Sequence, residues 1–291
     1  MDNFHNMLLC MNNNFKKWKN SPRIYVILII LVIFHFYGFD GYRKISEFLE
    51  VPISPWVFPF FLLHPLMMFT FGAIPMLLYG EAPFTDHQSP FIVIRAGRQN
   101  WIIGQILYII LSSFIYTAIS ILISILSLVP QVRFDSEWGQ VIYTMGQNAD
   151  VANLAGVNIM MPGTQLINKF TSTEAMMYSF LLYWLATTFL GLIILSFNVC
   201  IKKGTGMIVA GVFTCMCYFS AIFGNIGFGK IIMYFSPVSW GNIYNISKYD
   251  GDGLPSFTYA LTILISSILI MSMISVIAFC KKDLDFEKGE Y

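Results

Sequence analysis

Four histidines, His5, His35, His64 and His87, and five cysteines, Cys10, Cys200, Cys215, Cys217 and Cys280, have the widest chemical reach in this sequence. Metal binding would need three or four such groups at ligand spacing. None of the histidines opens an HExxH pattern, and none has a His, Cys or carboxylate at ligand spacing on one helix face. Cys215 and Cys217 are two apart, not a C-x-x-C pair; they read as small packing residues, and no disulfide framework is expected. His64, beside Pro65, reads as an interior histidine donating to a carbonyl that the proline frees. No G-x-S-x-G elbow occurs. The stretch from Gly224 to Ile231, GNIGFGKI, has the glycine and lysine spacing of a phosphate loop. Ile231 stands where a hydroxyl should hold magnesium, and the stretch follows an apolar segment instead of a strand. We therefore expect no catalytic residue, metal or cofactor in this chain.

The polar stretch from Gly80 to Gln105, GEAPFTDHQSPFIVIRAGRQNWIIGQ, offers a different chemistry, that of recognition by charge. It holds Glu81, Asp86, Arg95 and Arg98 and runs into an apolar segment at Trp101. Arg95 and Arg98 are three apart and would share one side of a helix. Trp101, three further on, would anchor that helix at lipid headgroups. A short basic helix fixed to the ends of two apolar segments can pass force to both, so the stretch reads either as a handle for a separate protein or as ordinary positive-inside residues.

The elements that carry this handle follow from composition. The chain has 291 residues, 56% of them hydrophobic and 11% charged, and a mean hydropathy of +0.66. Soluble domains average about 25% charged residues. Too little charge remains to cover a water-facing surface, so this is an integral membrane protein. A net charge of +1 argues against nucleic acid as a partner. The polar, basic start shows no leader pattern, and the first span is expected to direct insertion. Six apolar segments are expected to cross the bilayer: Ile24 to Tyr42, Trp56 to Tyr79, Trp101 to Val129, Ala175 to Cys200, Met207 to about Phe228, and Phe257 to Cys280. The second contains Pro59, Pro65 and Pro75. Internal prolines free carbonyls that only neighbouring protein can satisfy in a membrane, which places this span inside the bundle.

Ahead of the first span, Phe4, Met7, Leu8, Met11, Phe15 and Trp18 recur at helical spacing. Residues 1–22 are therefore expected to form a helix in the headgroup region, with Phe15 and Trp18 on its apolar side and Lys16 and Lys17 among the lysines that meet anionic lipid. With that end in the cytosol, eleven of the seventeen lysines and arginines lie inside: Lys16, Lys17, Lys19, Arg23, Arg95, Arg98, Lys202, Lys203, Lys281, Lys282 and Lys288. The bias puts both termini in the cytosol. Segment 80–100 then becomes a cytosolic loop. Segments 130–174 and 224–256 become extracellular, the first polar with no readable fold. The second is apolar but broken by glycine and proline, as re-entrant helices against protein would be.

No Asp, Glu, Lys or Arg lies deep inside any span, which counts against an ion-coupled carrier. Hydroxyls and amides do occur there. Ser113, Thr117 and Ser120 share a face of span three, and Thr187 and Asn198 lie in span four. Small residues in a stripe favour close helix packing. The alternative is that these five residues line a polar translocation path.

Four stretches in this order resemble a known family. They are FKKWKNSPRIYVILI at 15–29, IRAGRQNWIIGQIL at 94–107, SPVSWGNI at 236–243 and KKDL at 281–284. Together with the six spans they make the chain similar to the membrane subunit of an ABC-2-type ABC transporter. The likeness covers essentially the whole topology, and the 130–174 segment is longer than the corresponding family loop. What the resemblance implies is an all-α, six-helix membrane domain with an N-terminal interfacial helix, a coupling helix within 83–100, and re-entrant helices between spans five and six. It also implies a second permease subunit, like or unlike, and partner ATPase subunits that bind the ATP and magnesium. The chain would be a plasma-membrane permease that moves a peptide, lipid-linked or amphipathic substrate outward. The alternative function is a non-pumping sensor or immunity protein that binds a peptide at its outer face. On the first reading, Arg98→Glu would uncouple ATP hydrolysis from transport.

Overall fold

The structure is a computed structural model and describes residues 2–135, 137–148, 150–223, 229–248 and 253–282. The regular elements among the described residues are all helices, with two isolated bridges, Ile53 to Val132 and Ser247 to Ser256. In chain order the helices are α1 (Asp2–Lys16), α2 (Pro22–Leu49), α3 (Phe58–Phe61), α4 (Pro65–Tyr79), α5 (Ser89–Ala96), α6 (Arg98–Leu126) and α7 (Gly139–Gln147). They continue with α8 (Asp150–Leu154), α9 (Thr164–Lys169), α10 (Ser172–Cys200), α11 (Thr205–Phe223), α12 (Gly229–Tyr234) and α13 (Phe257–Lys281). Short 3-10 turns, Lys17–Asn20, Pro237–Gly241 and Ile243–Asn245, fill out the connections.

Five of the described helices, α2, α6, α10, α11 and α13, are long and apolar enough to cross a membrane. This corrects the expectation of six. The second segment is broken, and its longer piece, α4, has 15 residues. At ~1.5 Å per residue that is ~22 Å, less than the ~30 Å hydrocarbon core of a bilayer. The break is at His64, whose backbone is extended (φ −75°, ψ 121°). Proline disfavours helical geometry in the residue before it, and Pro65 follows. Pro59 and Pro65 thus start helices, where their missing N–H is not needed, instead of kinking one. His64 is also not interior. It is exposed and caps α4, its Nδ1 accepting from the Leu66 N–H at 3.3 Å.

Pro75 is inside α4 and does free a carbonyl, that of Phe71. Two tyrosine hydroxyls, from Tyr116 at 3.0 Å and from Tyr183, donate to it. Asn242 donates to the Leu62 carbonyl at 2.9 Å, where α3 stops. The broken segment thus takes its missing partners from α6, α10 and the stretch before α13. The Phe71 and Tyr183 rings stack at 4.2 Å in the same place.

α10 is the central helix, in contact with α4, α6, α11 and α13 and buried along most of its length. Gly191 lets α4 and α6 approach it: a Cβ there would sit 2.6 Å from Ile109 and 2.8 Å from the Tyr79 ring. By contrast α2, α11 and α13 turn isoleucines, leucines, valines and phenylalanines outward, Ile33, Ile208, Leu269 and Ile277 among them. Faces this apolar suit lipid. α2 runs seven residues past its expected end, so Arg43 and Lys44 lie on its last turns and not in a loop.

The 130–174 segment folds as α7, α8 and α9 around Trp138, whose Nε1 donates to the Phe170 carbonyl at 2.9 Å. A capping box of Thr171 and Glu174 then starts α10. In the 224–256 segment, residues 224–228 and 249–252 lie outside the described set, and with them most of the phosphate-loop look-alike. The remainder is short helical pieces seated on protein. Trp240 is fully buried, its Nε1 donating to the Met233 carbonyl at 2.7 Å.

Candidate functional site

The charged handle and the N-terminal helix meet at one end of the bundle. α1 lies across the start of α6, and the crossing is close because residue 104 is glycine. A Cβ there would come within 2.5 Å of Cys10 Cβ, 3.0 Å of the Met7 carbonyl and 3.2 Å of the Met11 nitrogen. The side of α1 that packs carries Cys10 and Asn14, both buried, while Phe4 points out. The packed side keeps Met11, Phe15 and Trp18 of the expected apolar face and adds Cys10 and a buried amide. Asn14 donates to Gln105 Oε1 at 3.0 Å, and the same oxygen faces the Phe84 N–H at 3.4 Å.

Phe15 and Trp18 pack on protein. The Trp18 indole donates to the Tyr108 hydroxyl at 2.7 Å, and the Phe15 and Phe84 rings each meet the Tyr108 ring edge-on at 4.9 Å. Of the lysines expected to face lipid, Lys16 and Lys19 are exposed. Lys17 instead bonds the Asp86 carboxylate at 2.9 Å and the Phe84 carbonyl at 3.3 Å. Arg23, at the start of α2, pairs with Glu81. Two acids of the handle are thus held by two bases of the N-terminal segment. Partial burial works to raise the Asp86 pKa, but hydrogen bonds from Lys17 and Ser89 and the Lys17 charge outweigh it and hold the carboxyl below its ordinary value.

The arginines do not share a helix side. α5 ends at Ala96, and Gly97 has φ +86°, a geometry that glycine adopts without strain. Arg95 is therefore on the last turn of α5, exposed, and Arg98 is the first residue of α6. Arg98 reaches the far end of the chain. Its guanidinium donates to the Lys282 carbonyl at 2.9 Å and the Cys280 carbonyl at 3.4 Å, the orphan acceptors at the end of α13. Lys282 in turn donates to the Val199 carbonyl near the end of α10 at 3.3 Å. Trp101 is not a headgroup anchor: it is buried and stacks on Phe279 of α13 at 4.8 Å.

The five polar residues of spans three and four lie inside the chain. Ser113 shares a hydrogen bond with the Tyr79 hydroxyl at 2.7 Å. Thr117, Ser120 and Thr187 donate to carbonyls one turn back on their own helices. Asn198 belongs with the handle: it donates to the Ala82 carbonyl at 2.7 Å and accepts from the N–H groups of Gly204 and Gly206. All five are buried in the single chain, as packing residues would be.

The arrangement therefore gathers the ends of α1, α4, α6, α10 and α13 around the 80–98 stretch, whose short helix packs on α1 and α6. α5 itself buries Ser89 and Val93 and turns out Phe91, 74% exposed, and Ile94, 75% exposed, beside Arg95. The sequence marks no site role for Asn14, Phe91, Ile94, Gln105 or Tyr108, and marks Arg23 and Lys282 only by their charge. Gln105 was open to discovery, since an amide within an apolar segment needs a partner. Phe91 and Ile94 were not, because only the packing of α5 says which side is out. No family model matches the chain, and no curated protein matches it.

Proposed function

We propose that this chain is the membrane subunit of an ATP-driven exporter of the ABC-2 type, coupled to separate ATPase subunits and paired with a second permease subunit. In this reading the chain sits in the plasma membrane with both termini cytosolic, has no catalytic residue of its own, and leaves ATP and magnesium to its partner. The single observation that carries the proposal is α5. It is a short helix with two large apolar side chains and an arginine outward, fixed at both ends to helices of the bundle. Apolar anchors beside an arginine are the composition of a protein-docking spot. The ties from Lys17, Arg23, Asn198 and Arg98 hold the chain on either side of α5 to the N-terminal segment, α2, α10 and α13, so a push on α5 can reach them.

The test uses Arg95→Glu and Phe91→Ser in the full chain, expressed in its native membrane with an affinity tag. The wild-type chain is expected to bring down an ATPase. Each variant is expected to lose at least about tenfold of it while the purified chain keeps its unfolding midpoint. Arg98→Glu is the poorer test, since it also breaks the hold on α13. Capture of an ATPase undiminished by both variants would remove α5 from the mechanism. Absence of any ATPase from the wild-type material would favour a non-pumping peptide sensor.

A further inference from the structure

The end of the bundle away from α1 holds a second candidate site. Between the far half of α2, the α3–α4 break and residues 156–160 is a cavity of about 280 Å³. Gly38 and Gly41, one turn apart on α2, make its floor possible. A Cβ at Gly38 would sit 2.6 Å from the Phe61 ring, and one at Gly41 would collide with Ile159. The buried part of its lining is apolar, with Phe60, Phe61 and Met67. Its rim is polar, with Asp40, Lys44, His64 and Asn158.

The rim presents donors beside one carboxylate, that of Asp40. Both Asp40 oxygens are engaged, one by Arg43 at 2.9 Å and one by Lys44 at 2.7 Å. The Lys44 ammonium has three N–H groups and spends one there. His64 Nδ1 accepts the Leu66 N–H, so the neutral ring carries its proton on Nε2, as a donor. The Asn158 amide adds another donor. Donors around an apolar floor select a ligand with acceptors at one end and hydrocarbon at the other. Ligand pockets run from roughly 300 Å³ upward, so this one takes a head group and the start of a chain, not a whole large molecule.

We propose that this cavity binds a single-chain amphiphile with an anionic phosphate or carboxylate head, the head at Lys44 and His64 and the chain along Phe60, Phe61 and Met67. The site stands on the cavity and does not need the transport reading. Its assay contains no ATPase, so either proposal can fail alone.

The test titrates the purified full chain, in a neutral detergent, with lysophosphatidic acid and follows binding by intrinsic fluorescence and the unfolding midpoint. Saturable binding with a raised midpoint is expected. Monoacylglycerol of the same chain length and inorganic phosphate, at equal concentration, are expected to leave both readouts unchanged. His64→Asn keeps a side-chain oxygen to cap α4 but loses the Nε2 donor. It and Lys44→Gln are each expected to weaken binding about tenfold. Ile159→Trp fills the floor without touching the charges and is expected to abolish binding, which keeps the test open should Lys44→Gln not fold. Equal binding of monoacylglycerol would overturn head-group recognition, and equal binding of inorganic phosphate would reduce the site to one for a free anion. Unchanged affinity in all three variants would place the ligand elsewhere and overturn the proposal.

Discussion

The buried amide pair between α1 and α6 allows a quantitative prediction. Asn14 and Gln105 are 4% and 1% exposed, and their hydrogen bond is 3.0 Å long. A buried polar group left without a partner costs about 1–3 kcal/mol, whereas replacing both partners by apolar groups of like shape is close to neutral. Asn14→Leu leaves Gln105 Oε1 with one longer contact, from the Phe84 N–H at 3.4 Å. Gln105→Leu strips a partner from Asn14 and from Phe84 at once. We expect a loss of about 1 kcal/mol for Asn14→Leu and about 2–3 kcal/mol for Gln105→Leu. The double variant should lose less than the two together, with a coupling energy near 1 kcal/mol. The assay is denaturant unfolding of the purified chain in detergent, read by tryptophan fluorescence, because Trp18 bonds Tyr108 beside the pair. Limited proteolysis within residues 1–20 reports separately whether α1 has left α6. Strict additivity, or an Asn14→Leu variant that loses more than Gln105→Leu, would refute the assignment of a direct bond.

Three further outcomes follow from the same contacts. Gly104→Ala should force α1 off α6, because the new Cβ meets Cys10 Cβ at 2.5 Å and α1 backbone at 3.0 Å; a loss of about 1–3 kcal/mol and rapid cleavage ahead of residue 20 are expected, and unchanged proteolysis would contradict the crossing. Asp86 is held below its ordinary value, so its contribution is present above that value and is lost as pH falls through the lowered one. The partners are about one-third exposed, so the pair is worth only about 0.2–1 kcal/mol; Asp86→Asn should remove that pH dependence of α1 attachment, and an identical acid titration in the variant would assign it to another group. His35 is fully buried and stacks on Phe61 at 4.5 Å; its Nδ1 meets the Leu31 carbonyl at 2.8 Å while Nε2 has no partner, so His35→Phe loses one hydrogen bond and relieves one unpaired polar atom and should change stability by no more than about 1 kcal/mol; a much larger loss in the unfolding midpoint would mean that Nε2 is bonded in solution.

Much of the architecture was legible in the residues alone. Runs of apolar side chains with almost no charge leave lipid as the surrounding medium, and five of the six expected spans are found as helices of the right length. Pro75 told in advance that its helix must be enclosed, since a freed carbonyl has no water to turn to in a bilayer. The N-terminal helix and most of its apolar side were legible from spacing, though not that this side meets α6 instead of lipid.

Tertiary structure decided the rest, for a consistent reason: a side chain's type says what it needs, and packing alone says who supplies it. Pro65 reads equally as a kink or as a start, and the extended backbone at His64 makes it a start. Arg95 and Arg98 have helical spacing, yet the positive φ at Gly97 sends one outward and the other to the carbonyls that end α13, 182 and 184 residues away along the chain. Trp101 has the composition of a membrane anchor and becomes a core residue because Phe279 comes to lie against it. Local sequence dictated where helices form and which medium they suit. Contacts between residues far apart in the chain determined which charges are spent inside the molecule, as Lys17, Asp86 and Arg98 are, and which, like Arg95 on α5, stay exposed.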